Sequence, residues 1–240
     1  MGRYRVFRKV VDEIIEEYDV NAVLIVGKGA HTEPEDFDQL NDIDILIVTN
    51  SRINFNRQVE VLYDVPFDIS YISIFELISC IEGKEAIWVN MLNSCQAFYE
   101  TDELMSGIIL RAKEIWEQGP HSLSEMEKKL IRFEITQLFV DMENRIHDPI
   151  VASYLINEIF SSLVKRFYAL NGIWLPKRKY RIQSIETIDK VFYDLVIEYL
   201  SVSGLQERKD TVEKMINKIL SPIGGKLYKW EKGEFPDIKI

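Results

Sequence analysis

The hydrophobic residues in the first half of the chain show both helical and strand-like spacing. Val6, Val10, Ile14 and Tyr18 recur on one helical stripe, which predicts an opening helix over 6–18. Short β-branched or alternating stretches predict strands at 21–26, 42–48, 56–63, 67–72 and 96–99. Helical spacing returns at 74–81, 85–92 and 102–117. A tight turn at Asp64-Val-Pro66 is predicted to join two of these strands as an antiparallel hairpin.

The second half of the chain shows helical spacing alone. From Ser122 to about Leu220 the pattern is broken only at Asp148-Pro149, Asn171-Gly172 and Ser203-Gly204. The predicted buried faces are Leu130, Phe133, Leu138 and Met142 on one helix, and Ile156, Ile159, Leu163 and Phe167 on the next. This continuous helical spacing predicts an up-down helical bundle. The predicted fold class is α+β, with a mixed-sheet domain over 1–118 followed by an all-α bundle over 119–240.

Length, charge and cysteine content narrow the classes of function. A chain of 240 residues forms one large domain or two smaller ones. The formal net charge of −10 argues against binding to a nucleic acid polymer, which needs a basic surface. Two cysteines are too few for a disulfide framework, and neither a signal peptide nor an apolar run of roughly 20 residues is present. The sequence therefore predicts a cytoplasmic protein without membrane contact, and it leaves the oligomeric state open.

Two aspartates interrupt an apolar predicted strand. Asp42 and Asp44 flank Ile43, so strand alternation points both carboxylates to one face. Like charges this close repel and lose hydration unless a cation compensates them. Asp68 has a similar setting on a later strand, and three carboxylates on neighbouring strands suit two divalent metal ions. Two structural alternatives stay open: Asp42 as a turn residue, and Asp68 as an acid facing water on a one-sided sheet.

A glycine turn precedes these acids. The apolar run 23–26 leads directly into Gly27-Lys28-Gly29, where backbone N–H groups are accessible to a phosphate. The combination of a strand, a glycine turn and acids on later strands predicts metal-assisted phosphoryl chemistry.

The residues from Gly27 to Val48, with about a dozen residues before Asp42-Ile43-Asp44 and a third acid at Asp68, resemble the nucleotidyltransferase superfamily. Over about residues 6–101, the chain is most similar to the aminoglycoside, lincosamide and kanamycin nucleotidyltransferase-like proteins. The resemblance implies a nucleotidyltransferase-fold sheet domain and a C-terminal bundle that binds substrate. It also implies transfer of a nucleoside monophosphate to a hydroxyl of a small acceptor, with release of pyrophosphate. AMP from ATP is the expected donor group, another nucleoside triphosphate is the alternative, and an aminoglycoside-like antibiotic is one candidate acceptor.

The resemblance also implies roles for single residues. Asp42 and Asp44 are expected to bind Mg²⁺, as two ions, together with the triphosphate. Asp68 is expected to complete the metal site and to accept the proton of the acceptor hydroxyl. The expected nucleotide-binding residues are Gly27, Lys28, Gly29 and Lys179.

Two of these expected nucleotide-binding residues, Lys28 and Lys179, also have other interpretations. The family usually has serine where this chain has Lys28, and a lysine meets phosphate as a point charge. This departure keeps open a catalytically degenerate nucleotide-binding or scaffold protein. A protein-modifying, antitoxin-type nucleotidyltransferase is a further alternative. Lys179 lies in the basic segment Lys177-Arg-Lys-Tyr-Arg181, for which a solvated loop is the other interpretation.

Glu134 and Asp141 are the candidate acceptor-binding residues. They are seven residues apart and therefore share one side of a helix, where they are suited to a cationic acceptor or to a general base. The alternative is ordinary surface charge with partners four residues away, such as Asp141 with Arg145.

Overall fold

The computed structural model describes residues 2–53 and 55–233. Contacts within the chain separate two compact units, 1–119 and 120–240. The first unit contains α1 (Arg3–Glu17), β1 (Val20–Ile25), β2 (Ile43–Thr49), β3 (Asn56–Leu62), β4 (Val65–Ser73), α2 (Ile74–Glu82), α3 (Ala86–Asn93), β5 (Gln96–Glu100) and α4 (Leu104–Gln118). The second contains α5 (Glu125–Asn144), α6 (Pro149–Leu170), α7 (Arg181–Ile188), α8 (Lys190–Ser201) and α9 (Leu205–Leu220). The fold class is α+β, as predicted.

The first unit is built on one five-stranded sheet in the order β3-β4-β2-β1-β5. β2 and β4 run parallel to each other, whereas the other neighbouring strands are antiparallel. The predicted hairpin is confirmed as β3–β4. β4 begins at Val65, earlier than predicted, and Pro66 precedes Phe67, where pairing with β2 starts. The missing N–H of Pro66 therefore costs no hydrogen bond to β2.

The hairpin turn consists of Tyr63 and Asp64, which both have positive φ angles, of 51° and 63°. A two-residue loop with two positive φ values is a type I′ turn, which matches the twist of the strands. Tyr63 is held in this conformation by α1, because Lys9 lies over its ring and its hydroxyl donates to Glu13 at 2.7 Å.

The two faces of the sheet have different coverings. On one face α1 packs over apolar strand residues and forms a core with Val23, Ile45, Phe67 and Ile69. The other face carries Asp44 and Asp68 near the beginning of β2 and β4, followed along the same strands by the buried Leu46 and Ile72. Strand alternation thus confines the carboxylates to the face opposite α1.

In the described part of the helical unit, α5, α6, α7, α8 and α9 each contribute to a shared hydrophobic core. The predicted buried face of α6 is confirmed, since Ile156, Ile159, Leu163 and Phe167 all lie in this core. On α5 the predicted face is partly wrong. The fully buried core stripe of α5 is Ile131, Ile135, Phe139 and Met142, whereas Phe133 and Leu138 are only half-buried. No helix within the described ranges is both long and apolar enough to cross a membrane.

Candidate active site

Asp44 and Asp68 are direct neighbours across two parallel strands. The register of β2 with β4 places these two residues opposite each other. Both are half-buried, and residues opposite each other in a ladder share one face of the sheet. The sequence-predicted Asp42 precedes the first residue of β2 and is exposed. The strand register therefore brings two of the three predicted acids together as a side-by-side carboxylate pair.

Gly27 lies against one member of this pair. It lies two residues after the end of β1 and has a φ of 64°, a conformation that glycine adopts without steric cost. A Cβ atom at this position would lie only 2.4 Å from Oδ2 of Asp44. The backbone is fixed nearby, since the N–H of Val26 donates to the carbonyl oxygen of Asp44 at 3.0 Å. Gly27 is therefore required both by the backbone angle and by the position of the carboxylate.

Arg57 on β3 binds both oxygens of Asp68. Its Nε donates to Oδ1 at 2.8 Å and its Nη2 donates to Oδ2 at 2.5 Å. These hydrogen bonds and the charge of Asp68 raise the pKa of Arg57, and the charge of Asp44 adds to the effect. The sequence analysis did not identify Arg57. The strand alternation of β3 was a usable signal, but the pairing depends on the register of Val59 opposite Asp68.

The carboxylate pair has the chemistry of a divalent-cation site. Asp44 and Asp68 supply hard oxygen ligands, which Mg²⁺ prefers. Gly27 itself contributes no side chain beside Asp44, and the guanidinium of Arg57 already places positive charge next to Asp68. Within residues 2–53 and 55–233, however, no three acidic, histidine or cysteine side chains stand close enough together to hold a metal ion. A joint metal site with Asp42 therefore stays a prediction.

The remaining residues of the glycine turn have different surroundings. Lys28 is exposed, and its carbonyl oxygen accepts from the N–H of His31 at 3.2 Å and from the Thr32 hydroxyl at 2.9 Å. Gly29 is buried, and a Cβ there would lie 3.0 Å from Cγ2 of Ile25. Packing thus explains the second glycine without a ligand, while the side chain of Lys28 is accessible to one.

Comparison with solved structures identifies a similar fold. A nucleotidyltransferase-like protein from Exiguobacterium sibiricum 255-15 superposes with a TM-score of 0.57 over 92% of this chain and 75% of that chain, at 14% sequence identity. This chain has a nucleotidyltransferase-like fold. The kanamycin-like subgroup expected from the sequence stays a prediction, because this likeness concerns the fold alone. No family model matches the sequence, and the search of curated proteins found no match either.

Three of the predicted site residues lie in the helical unit. Lys179 is exposed in a short 3₁₀ turn, with its Nζ 5.1 Å from the centre of the Tyr180 ring. Asp141 forms the anticipated surface pair with Arg145, at 3.2 Å. Glu134 accepts from Nη2 of Arg166, whose side chain is only 13% exposed. The expected Asp141–Arg145 pair is thus present, Glu134 has a structural partner on α6, and acceptor binding by either residue stays a prediction.

Proposed function

We propose that the protein is a metal-dependent nucleotidyltransferase that moves a nucleoside monophosphate, AMP from ATP, onto a hydroxyl of a small acceptor. The observation that carries this proposal is the pair of carboxylates, Asp44 and Asp68, opposite each other on parallel strands next to Gly27. The nucleotidyltransferase-like fold is consistent with it. An aminoglycoside-like antibiotic is one acceptor to test, because acceptor pockets vary freely on a shared fold.

The carboxylate pair would hold the cofactor. Mg²⁺ bound at Asp44 and Asp68 would neutralise the triphosphate and stabilise the charge that develops during displacement. Two residues of the glycine turn would assist: Gly27 leaves room for the carboxylate of Asp44, and the exposed Lys28 offers a cation for a phosphate oxygen. Asp68 would accept the proton of the acceptor hydroxyl once Arg57 releases its oxygens.

The experiment measures the release of pyrophosphate from labelled ATP in the presence of Mg²⁺ and a panel of hydroxyl acceptors. We expect Asp44→Asn to reduce release at least about a hundredfold, because loss of a group that stabilises transition-state charge has effects of this size. The matched control is Asp64→Asn, which removes an exposed carboxylate at a positive φ that asparagine tolerates. Equal activity of Asp44→Asn and the wild type would disprove the role of the pair.

A nucleotide-binding protein without turnover is the second candidate. Lys28 in place of serine favours it, as does the engagement of both Asp68 oxygens by Arg57. Calorimetry with ATP and Mg²⁺ separates the two candidates. Metal-dependent binding without pyrophosphate release for any acceptor would support the binder and contradict the enzyme.

A further inference from the structure

Arg57 is placed where an incoming metal ion would meet it. Its guanidinium engages both carboxylate oxygens of Asp68, so neither oxygen is open to a metal ion without competition. Asp68 is largely shielded, with 19% of its side chain exposed, whereas 57% of the Arg57 side chain is exposed. The arginine is therefore the partner with freedom to move away from this contact.

We propose that Arg57 is a counter-cation of the Asp44–Asp68 pair: its guanidinium neutralises the carboxylates until a divalent ion displaces it. The displaced guanidinium then binds the phosphates of the nucleotide. The second half of this inference rests on the proposed function, whereas the first half concerns the carboxylates and cation binding alone.

The position of Arg57 supports such a movement. β3 is an edge strand of the sheet, so Arg57 has a neighbouring strand on one side only. The residue opposite Arg57 on β4 is Ser70, a short side chain, and the arginine reaches diagonally along the ladder to Asp68. A released guanidinium would remain on the face of the carboxylate pair, because side chains of a strand keep to their face. Guanidinium groups bind phosphate oxygens in the same two-pronged way as carboxylates.

Arg111 provides the comparison within the same unit. Its Nε and Nη2 donate to the two oxygens of Glu82 at 3.0 and 3.2 Å, so it also forms a two-pronged pair. Glu82 is at the end of α2 and its side chain is 54% exposed. Arg111 also contacts Glu114, at 3.3 Å. Replacing Arg111 therefore removes a two-pronged arginine–carboxylate pair that includes neither Asp44 nor Asp68, and it serves as the control.

The first arm of the test measures Mn²⁺ binding without nucleotide, using the free-ion signal in electron paramagnetic resonance. The proteins are the full-length wild type, Arg57→Gln, Arg57→Lys and Arg111→Gln, with folding checked by far-UV circular dichroism. We expect Arg57→Gln to bind Mn²⁺ about fivefold more tightly, the upper range for loss of a competing pair that is partly exposed. Arg57→Lys should fall between Arg57→Gln and the wild type, and Arg111→Gln should match the wild type.

The second arm measures binding of a non-hydrolysable ATP analogue with Mg²⁺. Here Arg57→Gln should bind at least about tenfold more weakly, because a charge-assisted hydrogen bond to phosphate is lost. Opposite effects on the metal ion and on the nucleotide support the proposal, since a merely structural arginine would not produce them.

Weaker or unchanged Mn²⁺ binding by a folded Arg57→Gln protein would overturn the counter-cation role. Unchanged nucleotide binding would overturn the transfer to phosphate. Neither arm requires turnover, so the two proposals can fail separately. If the wild type releases no pyrophosphate but Arg57→Gln binds Mn²⁺ more tightly than the wild type, the proposed enzyme is contradicted and the counter-cation role is still supported.

Discussion

Replacing Gly27 by alanine tests how the carboxylate pair is held. The new Cβ would lie 2.4 Å from Oδ2 of Asp44, whereas ordinary contacts are about 3.5 Å. The carboxylate must therefore shift by about 1 Å. The positive φ of 64° costs an alanine about 1–2 kcal/mol, and a side chain forced from its rotamer adds about 1 kcal/mol. We expect Gly27→Ala to lower the free energy of unfolding by about 2–3 kcal/mol in total.

Gly172→Ala is the matched control for this substitution. Gly172 also has a φ of 64°, but a Cβ there would meet no atom within 4 Å. It should therefore cost only the backbone share, about 1–2 kcal/mol. Urea unfolding followed by circular dichroism measures both costs. The two glycines lie in different units, so the transition of each unit is fitted separately.

The functional consequence separates the two variants further. A 1 Å displacement of a positioned group reduces a rate by about a hundredfold, so pyrophosphate release should fall by that factor in Gly27→Ala and stay unchanged in Gly172→Ala. Mn²⁺ binding should also weaken in Gly27→Ala alone. If Gly27→Ala is no less stable than Gly172→Ala and binds Mn²⁺ like the wild type, Gly27 does not position Asp44.

Two further predictions concern Glu134 and the two cysteines. Glu134→Gln should lower the free energy of unfolding by about 1 kcal/mol, because it removes the charged partner of the largely buried Arg166. Pyrophosphate release should stay unchanged. A loss of activity at unchanged stability would instead support a role of Glu134 in acceptor binding. Burial raises the pKa of Cys80 and of Cys95 from 9.0 to about 11, so at pH 8 alkylation by iodoacetamide should be about a hundredfold slower in the native protein than in urea. Since the folded state favours the neutral thiols, their contribution to stability is complete below pH 9 and is lost as the pH rises towards 11; equal alkylation rates in the native and unfolded protein would contradict the raised pKa values.

Local patterns in the sequence were sufficient to predict the strands that carry the acids. The β-branched run after Asp42 and the alternation around Asp68 predicted β2 and β4 to within a few residues, and the helical stripe of α6 was correct. The pairing of Asp44 with Asp68 was not predictable in this way, because strand order and register depend on contacts far apart in sequence.

Two errors have physical explanations of the same kind. The turn is formed by Tyr63 and Asp64, not by Asp64-Val-Pro66 as predicted. It lacks the glycine or asparagine typical of a type I′ turn, and contacts with α1 stabilise it instead. On α5, apolar residues occur around much of the helix, so spacing alone did not distinguish the stripe containing Ile135 from the half-buried Phe133.

The parallel ladder of β2 and β4 has a consequence for how the protein can change. A substitution between Val65 and Asp68 alters one side chain, but deletion or insertion of a single residue there reverses every later side chain of the strand. Asp68 would then turn into the apolar layer beneath α1 in either case. The residue facing Asp44 would be Ile69 after a deletion and the residue preceding Asp68 after an insertion. Single-residue length changes in this short segment should therefore be far less tolerated during divergence than changes of residue type.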